Sequence, residues 1–323
     1  MEEGSIIAID EIEHGLEPHR LTQAIHRMRQ RTESSKLQII MTTHSPVAVT
    51  TLRAEDIEVV RADGAGMTTC RPVSSDLDNV QGTLRSAPDA LLGRRVVVAE
   101  GATEVGVLRA LLRHWDALRL EKGQDGSAAM GTVLVNGGGG AQTVQRATAF
   151  QGLGYPTCAL LDNDDPAIDT AIEKAETSGT AVHRWSRGCD IEHEIIRALP
   201  MAGVQEVVDL AVEVRGEQSV VAAVAAKLGG AELAGTQVAA WQQQAGAVEH
   251  VLRSAIADAA VVKKKEWFKR QDRGEDLAAV VIAHSTELAD THLMTVLDGL
   301  RAFAYLEEPV PTPTHSAESS SDA

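Results

Sequence analysis

Short apolar runs that end on acidic or polar residues, each followed by a segment of helical spacing, recur along this chain. Residues 5–9 (SIIAI) read as a buried strand ending at Asp10-Glu11. Beyond GLEP, the apolar residues Leu21, Ile25 and Met28 recur at helical intervals. LQIIMTTH then predicts a second buried strand closing at His44, and residues 57–73, centred on Asp63-Gly64, predict a hairpin. These segments form a first unit, residues 1–75. The polar, mixed stretch from Ser74 to Pro88 predicts a linker, taken as residues 76–93.

From Arg94 the alternation resumes. VVVAE is a strand and VGVLRALLRHW an amphipathic helix; TVLVNGGGG is a strand that breaks into a glycine loop before a helix over about 141–151. TCALLDNDD is the next strand, followed by a helix near 167–177 and the short strand AVHRW. Such alternation predicts an α/β fold, a mostly parallel sheet with helices on its faces, over residues 94–202. Residues 203–262 turn Ala- and Val-rich with helical spacing and no strand signal, which predicts a helical insertion. The basic segment KKKEWFKRQDR and two helices near 275–283 and 286–306 complete the second domain over 263–306. The Pro/Ser-rich end, residues 307–323, has the composition of a disordered tail.

Composition narrows the chemistry. Cys70, Cys158 and Cys189 lie far apart without a C-x-x-C pair, which argues against a zinc ribbon and a secreted disulfide framework. No apolar run reaches membrane-spanning length and no signal peptide is evident, so the expectation is a soluble, cytoplasmic protein with no membrane partner. The net charge of −16 counts against tight non-specific DNA binding by the chain as a whole, although a local basic patch remains compatible with it.

Two groups of residues carry candidate chemistry. In the first, IIAIDE has the form of a Walker B strand, with Asp10 placed for a metal and Glu11 for orienting a water against a γ-phosphate. TTHSP after the next strand puts His44 where ATPases of the ABC and SMC type carry a γ-phosphate-contacting histidine. A G-x-x-x-x-G-K-[ST] loop is absent from the sequence, since GGGGAQT has no lysine. The expectation is therefore the C-terminal part of an ATPase domain, able to use ATP only with a missing N-terminal portion.

In the second group, Glu100 and Glu104 follow one apolar strand, and Asp162 and Asp164 follow another. Strand ends on one edge of an α/β sheet are where such folds build sites. Carboxylates gathered there need a shared cation, and hard oxygen ligands suit Mg²⁺ or Mn²⁺. Glu192 is the candidate fifth carboxylate, preferred over Asp190, which has the better claim as a helix N-cap. Lys263, Lys264, Lys265, Lys269, Arg270 and Arg273 form the one dense basic cluster. Lys269, beside Trp267 and Phe268, is the preferred active-site lysine, with Lys265 the alternative; the remaining basic residues are candidates for contacting DNA phosphates.

The strand-E-G and strand-D-x-D pattern resembles the Toprim fold of topoisomerases, primases and certain nucleases. Taken with the Walker B strand, the switch histidine and the late W-F-K, the chain resembles the overcoming-lysogenization-defect (OLD) nucleases from Ile6 to about Leu306. That resemblance implies an ABC-type ATPase joined to a Toprim nuclease that cuts DNA with two divalent ions. It implies Glu100, Glu104, Asp162, Asp164 and Glu192 as ligands and Lys269 in the active site. It further implies action against phages, homo-oligomers in the full-length proteins, and in some relatives a helicase or other defence partner. Two rival readings stand beside it: a topoisomerase, which would need Tyr155 or Tyr305 as nucleophile, and a non-catalytic SMC-like fragment whose acidic unit binds a partner protein.

Overall fold

The computed structural model describes residues 4–62, 66–73 and 80–307. Near the N-terminus, β1 (Ile6–Ile9) and β2 (Gln38–Met41) pair in parallel, with Ile6 opposite Gln38 and Ile9 opposite Met41. Helix α1 (Pro18–Ser34) and the short α2 (Pro46–Thr51) each start on a proline, whose fixed φ suits the first turn. Ile12, Leu21, Ile25 and Ala48 form a core against which Ile9, Met28, Met41, Val47 and Leu52 pack. The two strands are not buried on both sides as the apolar runs suggest. Their residues alternate, and Ile6 and Ile40 remain 65% and 54% exposed, because the apolar cluster takes only one set of alternate positions.

Strands β3 (Glu58–Ala62) and β4 (Thr68–Pro72) pair antiparallel, Glu58 opposite Pro72. The Asp63-Gly64 centre of that hairpin lies outside the described residues. Part of the stretch expected as a linker is helical: α3 (Val80–Ser86) and α4 (Asp89–Leu92). Gln81 explains the first of these, since its amide accepts from Ala54 N–H at 2.9 Å and donates to Leu52 O at 3.2 Å.

Strands β5 (Arg95–Ala99), β6 (Thr132–Asn136), β7 (Thr157–Leu161) and β8 (Ala181–Arg184) make a mostly parallel sheet in the order β6-β5-β7-β8. β5 and β7 are buried at every position, which is why VVVA and CALL read as unbroken apolar runs. Helices α5 (Ala102–Glu121), α6 (Gly140–Gly152) and α7 (Asp169–Thr177) connect the strands. Because β6 and β7 flank β5 on opposite sides, the strand order reverses at β5, the topological position at which α/β sheets build their sites.

Residues 201–260 hold α9 (Met201–Arg215), α10 (Glu217–Lys227), α11 (Val238–Ala245) and α12 (Glu249–Ala260), after α8 (Ile191–Ala198), with no strand among them. The last two helices are α13 (Gln271–Ala283) and α14 (His292–Tyr305). The expected helix over 286–306 thus starts six residues late. Residues 284–290 are turn, and Thr291 caps α14 by accepting from Met294 N–H at 3.3 Å. The basic segment before α13 is turn rather than helix, pinned by buried Trp267 and Phe268 packed edge to face at 6.2 Å.

The chain divides into two compact units. One comprises Met1–Val98, Gly131–Ala159 and Thr170–Ala181; the other comprises Ala99–Met130, Leu160–Asp169 and Val182–Ala323. The residues that immediately follow β5, β7 and β8 all belong to the second. Within that unit α5 and α13 touch backbone to backbone where Gly106 meets Gly274. Among the described residues no helix is long and apolar enough to cross a membrane. The expected disordered tail lies outside them from residue 308 onward.

Candidate functional site

Glu100 is the first residue beyond β5, and Gly101 carries the chain in extended form into α5. A Cβ at Gly101 would sit 2.9 Å from Glu104 Oε2, so glycine leaves the room in which the Glu104 carboxylate lies. Glu104 occupies the first turn of α5 and is 4% exposed. From the end of β7, Asp162 N–H donates to Glu100 Oε2 at 2.9 Å. Two acids separated by sixty-two positions are therefore neighbours.

The next segment adds two more. Asp190 caps α8 by accepting from His193 N–H at 2.9 Å and lies 2.7 Å from His193 Nδ1. In the first turn of α8, Glu192 is only 8% exposed. Asp190, which the sequence offers as the capping competitor to Glu192, thus caps the helix and also faces the other acids. Its D-I-E spacing ahead of a helix was the available signal.

Electrostatics ties the group together. Burial, then the charges of Glu104, Glu100, Asp190 and Glu192, drive the Asp162 carboxyl far above the carboxylate range. Burial, with Glu100 and Asp190 adding repulsion, raises Glu104. Burial followed by Glu104 and Asp190 pushes Glu192 up to about 8, with Lys269 opposing. Asp162 is half-buried as a residue, yet its Oδ1 is sealed from water and has no hydrogen-bond partner. A sealed acceptor oxygen facing further acids has the chemistry of a ligand awaiting a hard cation. Among the described residues, however, no three His, Cys, Asp or Glu side chains already form a coordination set.

The other candidates separate. Asp164 is exposed, and no hydrogen bond or ion pair ties it to these acids. Lys269 has a largely exposed side chain 3.8 Å from Glu266 and close enough to act on Glu192, whereas Lys265 lies exposed without such a link. Lys263 and Lys264 are exposed as well. Arg270 pairs with Asp272 at 2.8 Å and Arg273 with Asp276 at 2.9 Å, so both guanidinium groups already have local counter-charges.

A tyrosine nucleophile has no place here. Tyr155 and Tyr305, the chain's two tyrosines, are buried, and their hydroxyls donate to Leu91 O at 2.6 Å and to Asp116 Oδ1 at 2.6 Å.

At the N-terminal end, Asp10 and Glu11 follow β1, and the β2 exit crosses beside them. Thr42 Oγ1 donates to Asp10 Oδ1 and accepts from Glu11 N–H at 2.8 Å. Glu11 has φ +47°, in the left-handed region where a non-glycine residue costs free energy. Glu13, which the motif reading passed over, holds the segment after β2 by accepting from Thr43 Oγ1 and His44 N–H, both at 2.6 Å. Burial opposes ionisation of Glu13, but the Thr43 and His44 hydrogen bonds outweigh it and lower its pKa. Asp10, Glu11 and His44 themselves stay exposed.

Comparison with known proteins bears on this end of the chain. Residues 1–50 match the family model described as an AAA domain, putative AbiEii toxin, type IV TA system. No curated protein matches the chain. The N-terminal fifty residues are thus similar to an AAA-type ATPase domain, and a mostly parallel α/β unit follows them.

Proposed function

We propose that the acids following β5, β7 and β8 form a Toprim-type metal site that cleaves DNA phosphodiester bonds, as in the OLD nucleases. The observation that carries this reading is the convergence of Glu100, Glu104, Asp162, Asp190 and Glu192, with the Asp162 Oδ1 buried and unpartnered. Such a set, made only of hard oxygen donors, suits two Mg²⁺ or Mn²⁺ ions. When bound, the ions would activate water and offset charge on the leaving oxygen. Glu100, Glu104 and Asp162 would hold them, Glu192 or Asp190 would complete the set, and exposed Asp164 would join only by a change of side-chain position. The Lys269 ammonium, beside Glu192, would stabilise negative charge developing on the phosphate. Lys263, Lys264 and Lys265 offer the DNA backbone a dense cluster of cations in a chain of net charge −16. The biological setting we infer is DNA processing or defence against phages, under control of the ATPase region.

Supercoiled plasmid incubated with Mg²⁺ or Mn²⁺ is expected to be nicked and then linearised. Asp162→Ala or Glu100→Ala should abolish cutting. Lys269→Ala should slow it by about a hundredfold, the order measured for removing one transition-state charge partner. Cutting retained in the Asp162→Ala protein sinks the proposal. If the protein neither cuts DNA nor binds Mn²⁺ through Asp162, the acidic unit is a binding module instead.

The ATPase residues lead to a separate expectation. With no phosphate-cradling lysine loop in the sequence, this chain should show no ATP turnover above background, and Glu11→Gln should change nothing. Turnover that disappears in the Glu11→Gln protein would overturn this.

A further inference from the structure

The middle residue of D-N-D is the least obvious part of the site, because its side chain points away from the acids' shared space and toward the loop after β8. Asn163 Nδ2 donates to Trp185 O at 2.9 Å. Its backbone closes the same junction: Asn163 N–H donates to Cys189 O at 2.9 Å, and Gly188 N–H donates to Asn163 O at 2.8 Å. Gly188 has φ +78°, so the loop turns sharply at the point of attachment. From the far side Glu194, itself 3% exposed, holds Ser186 by accepting from its N–H at 2.9 Å and its hydroxyl at 3.2 Å. The loop then delivers Asp190 and Glu192 at the start of α8.

We infer that Asn163 is a positioning residue that fastens the Trp185–Cys189 loop to the β7 exit, so that Asp190 and Glu192 stand opposite Asp162 and Glu104. This rests on the metal-site reading above. The residue type follows from the contact. An amide is short enough to reach the carbonyl and has an N–H to give it, whereas an aspartate would set a carboxylate against that carbonyl and add another charge to an acidic set. Arg184 supports the same junction from β8, its Nε 3.4 Å from Asp162 O and its Nη1 bonded to Asp169 Oδ1 at 2.7 Å.

The test is Mn²⁺ binding by calorimetry on the full chain, beside thermal melts without metal. Removing a partner that orients a ligand costs about ten- to a hundredfold in metal affinity. Asn163→Ala is expected to weaken Mn²⁺ binding by at least about tenfold. Val224→Ala, a buried α10 truncation remote from the loop in sequence, supplies comparable destabilisation and should leave the affinity unchanged. Asn163→Asp should bind no better than Asn163→Ala despite its extra carboxylate. Wild-type affinity in Asn163→Ala, or equal weakening in Val224→Ala, overturns the positioning role while leaving the metal site standing. Absence of any Asp162-dependent Mn²⁺ binding in the wild-type protein removes the metal-site reading and this inference together.

Discussion

At pH 8 without divalent cations, the Asp162→Asn protein is expected to melt about 5 °C or more above the wild type, taking roughly 2–4 °C per kcal/mol for a chain of this size. A change that destroys the proposed activity should therefore stabilise the fold. Asp162, Glu104 and Glu192 all have pKa values raised by burial and by one another. A carboxyl whose folded pKa lies above its unfolded value favours folding fully below about pH 4, and loses that contribution as pH climbs through the folded value. For Glu192 the loss extends to about pH 8. The wild type should thus weaken between pH 5 and pH 8. Asp162→Asn should weaken less, because the fold no longer has to keep a proton on that buried carboxyl as the unfolded chain ionises. The bond to Glu100 survives the change, since Asp162 donates it from the backbone. The two melting temperatures should converge only as pH falls to about 4.

Divalent metal should reverse the order. An ion that binds only the folded state adds about 2.7 kcal/mol at a hundred times its dissociation constant. Mn²⁺ should raise the wild-type Tm by several degrees and leave Asp162→Asn nearly unmoved. Melting curves for the two proteins that stay parallel from pH 5 to pH 8, with and without Mn²⁺, would show that these acids do not share one field.

What could be read from the chain, and what could not, divides by the range of the interaction. VVVAEG and CALLDND disclose strand ends because burial on both faces and the turn into a helix are local properties. That Glu100 and Asp162 meet follows only from β7 lying beside β5 with β6 on the other side, a choice of strand order that the residues themselves do not spell out. Asp190 shows the same limit: its capping role is local and was legible, while its place among the acids depends on the loop that Asn163 holds. The late start of α14 has a local cause too, the Thr291 cap, hidden by an apolar pattern that continues through Leu288. The half-exposed β1 and β2 mislead in the opposite direction. Their apolar composition suits strands covered on both faces, but the described residues bury only alternate positions.

Gly106→Ala carries the second large expected effect, and its sign is the informative part. An alanine replacing glycine within a helix ordinarily stabilises by about 1 kcal/mol. Here a Cβ at Gly106 would lie 2.0 Å from Gln271 O and 2.9 Å from Gly274 Cα, and one at Gly274 would lie 2.2 Å from Thr103 O. Neither obstacle is the far end of a flexible side chain, so α5 and α13 must move apart. Overpacking of this kind costs about 3 kcal/mol, which outweighs the helical gain. Either Gly106→Ala or Gly274→Ala should lower the Tm by roughly 5 °C or more, and the double variant should lose less than the sum because one separation accommodates both methyl groups. Gly152→Ala, at the end of α6 with nothing within 4 Å of the added carbon, is the control and should melt at or slightly above the wild type. The consequence reaches the site. Thr103 Oγ1 donates to Phe268 O at 3.1 Å, one residue before Lys269, so the helix contact bears on how the lysine meets Glu192. Plasmid cutting by Gly106→Ala, measured well below its lowered Tm, should therefore fall toward the Lys269→Ala level. If both glycine variants melt at or above the wild type, α5 and α13 do not touch along this line, and the placement of Lys269 derived from that contact is lost with it.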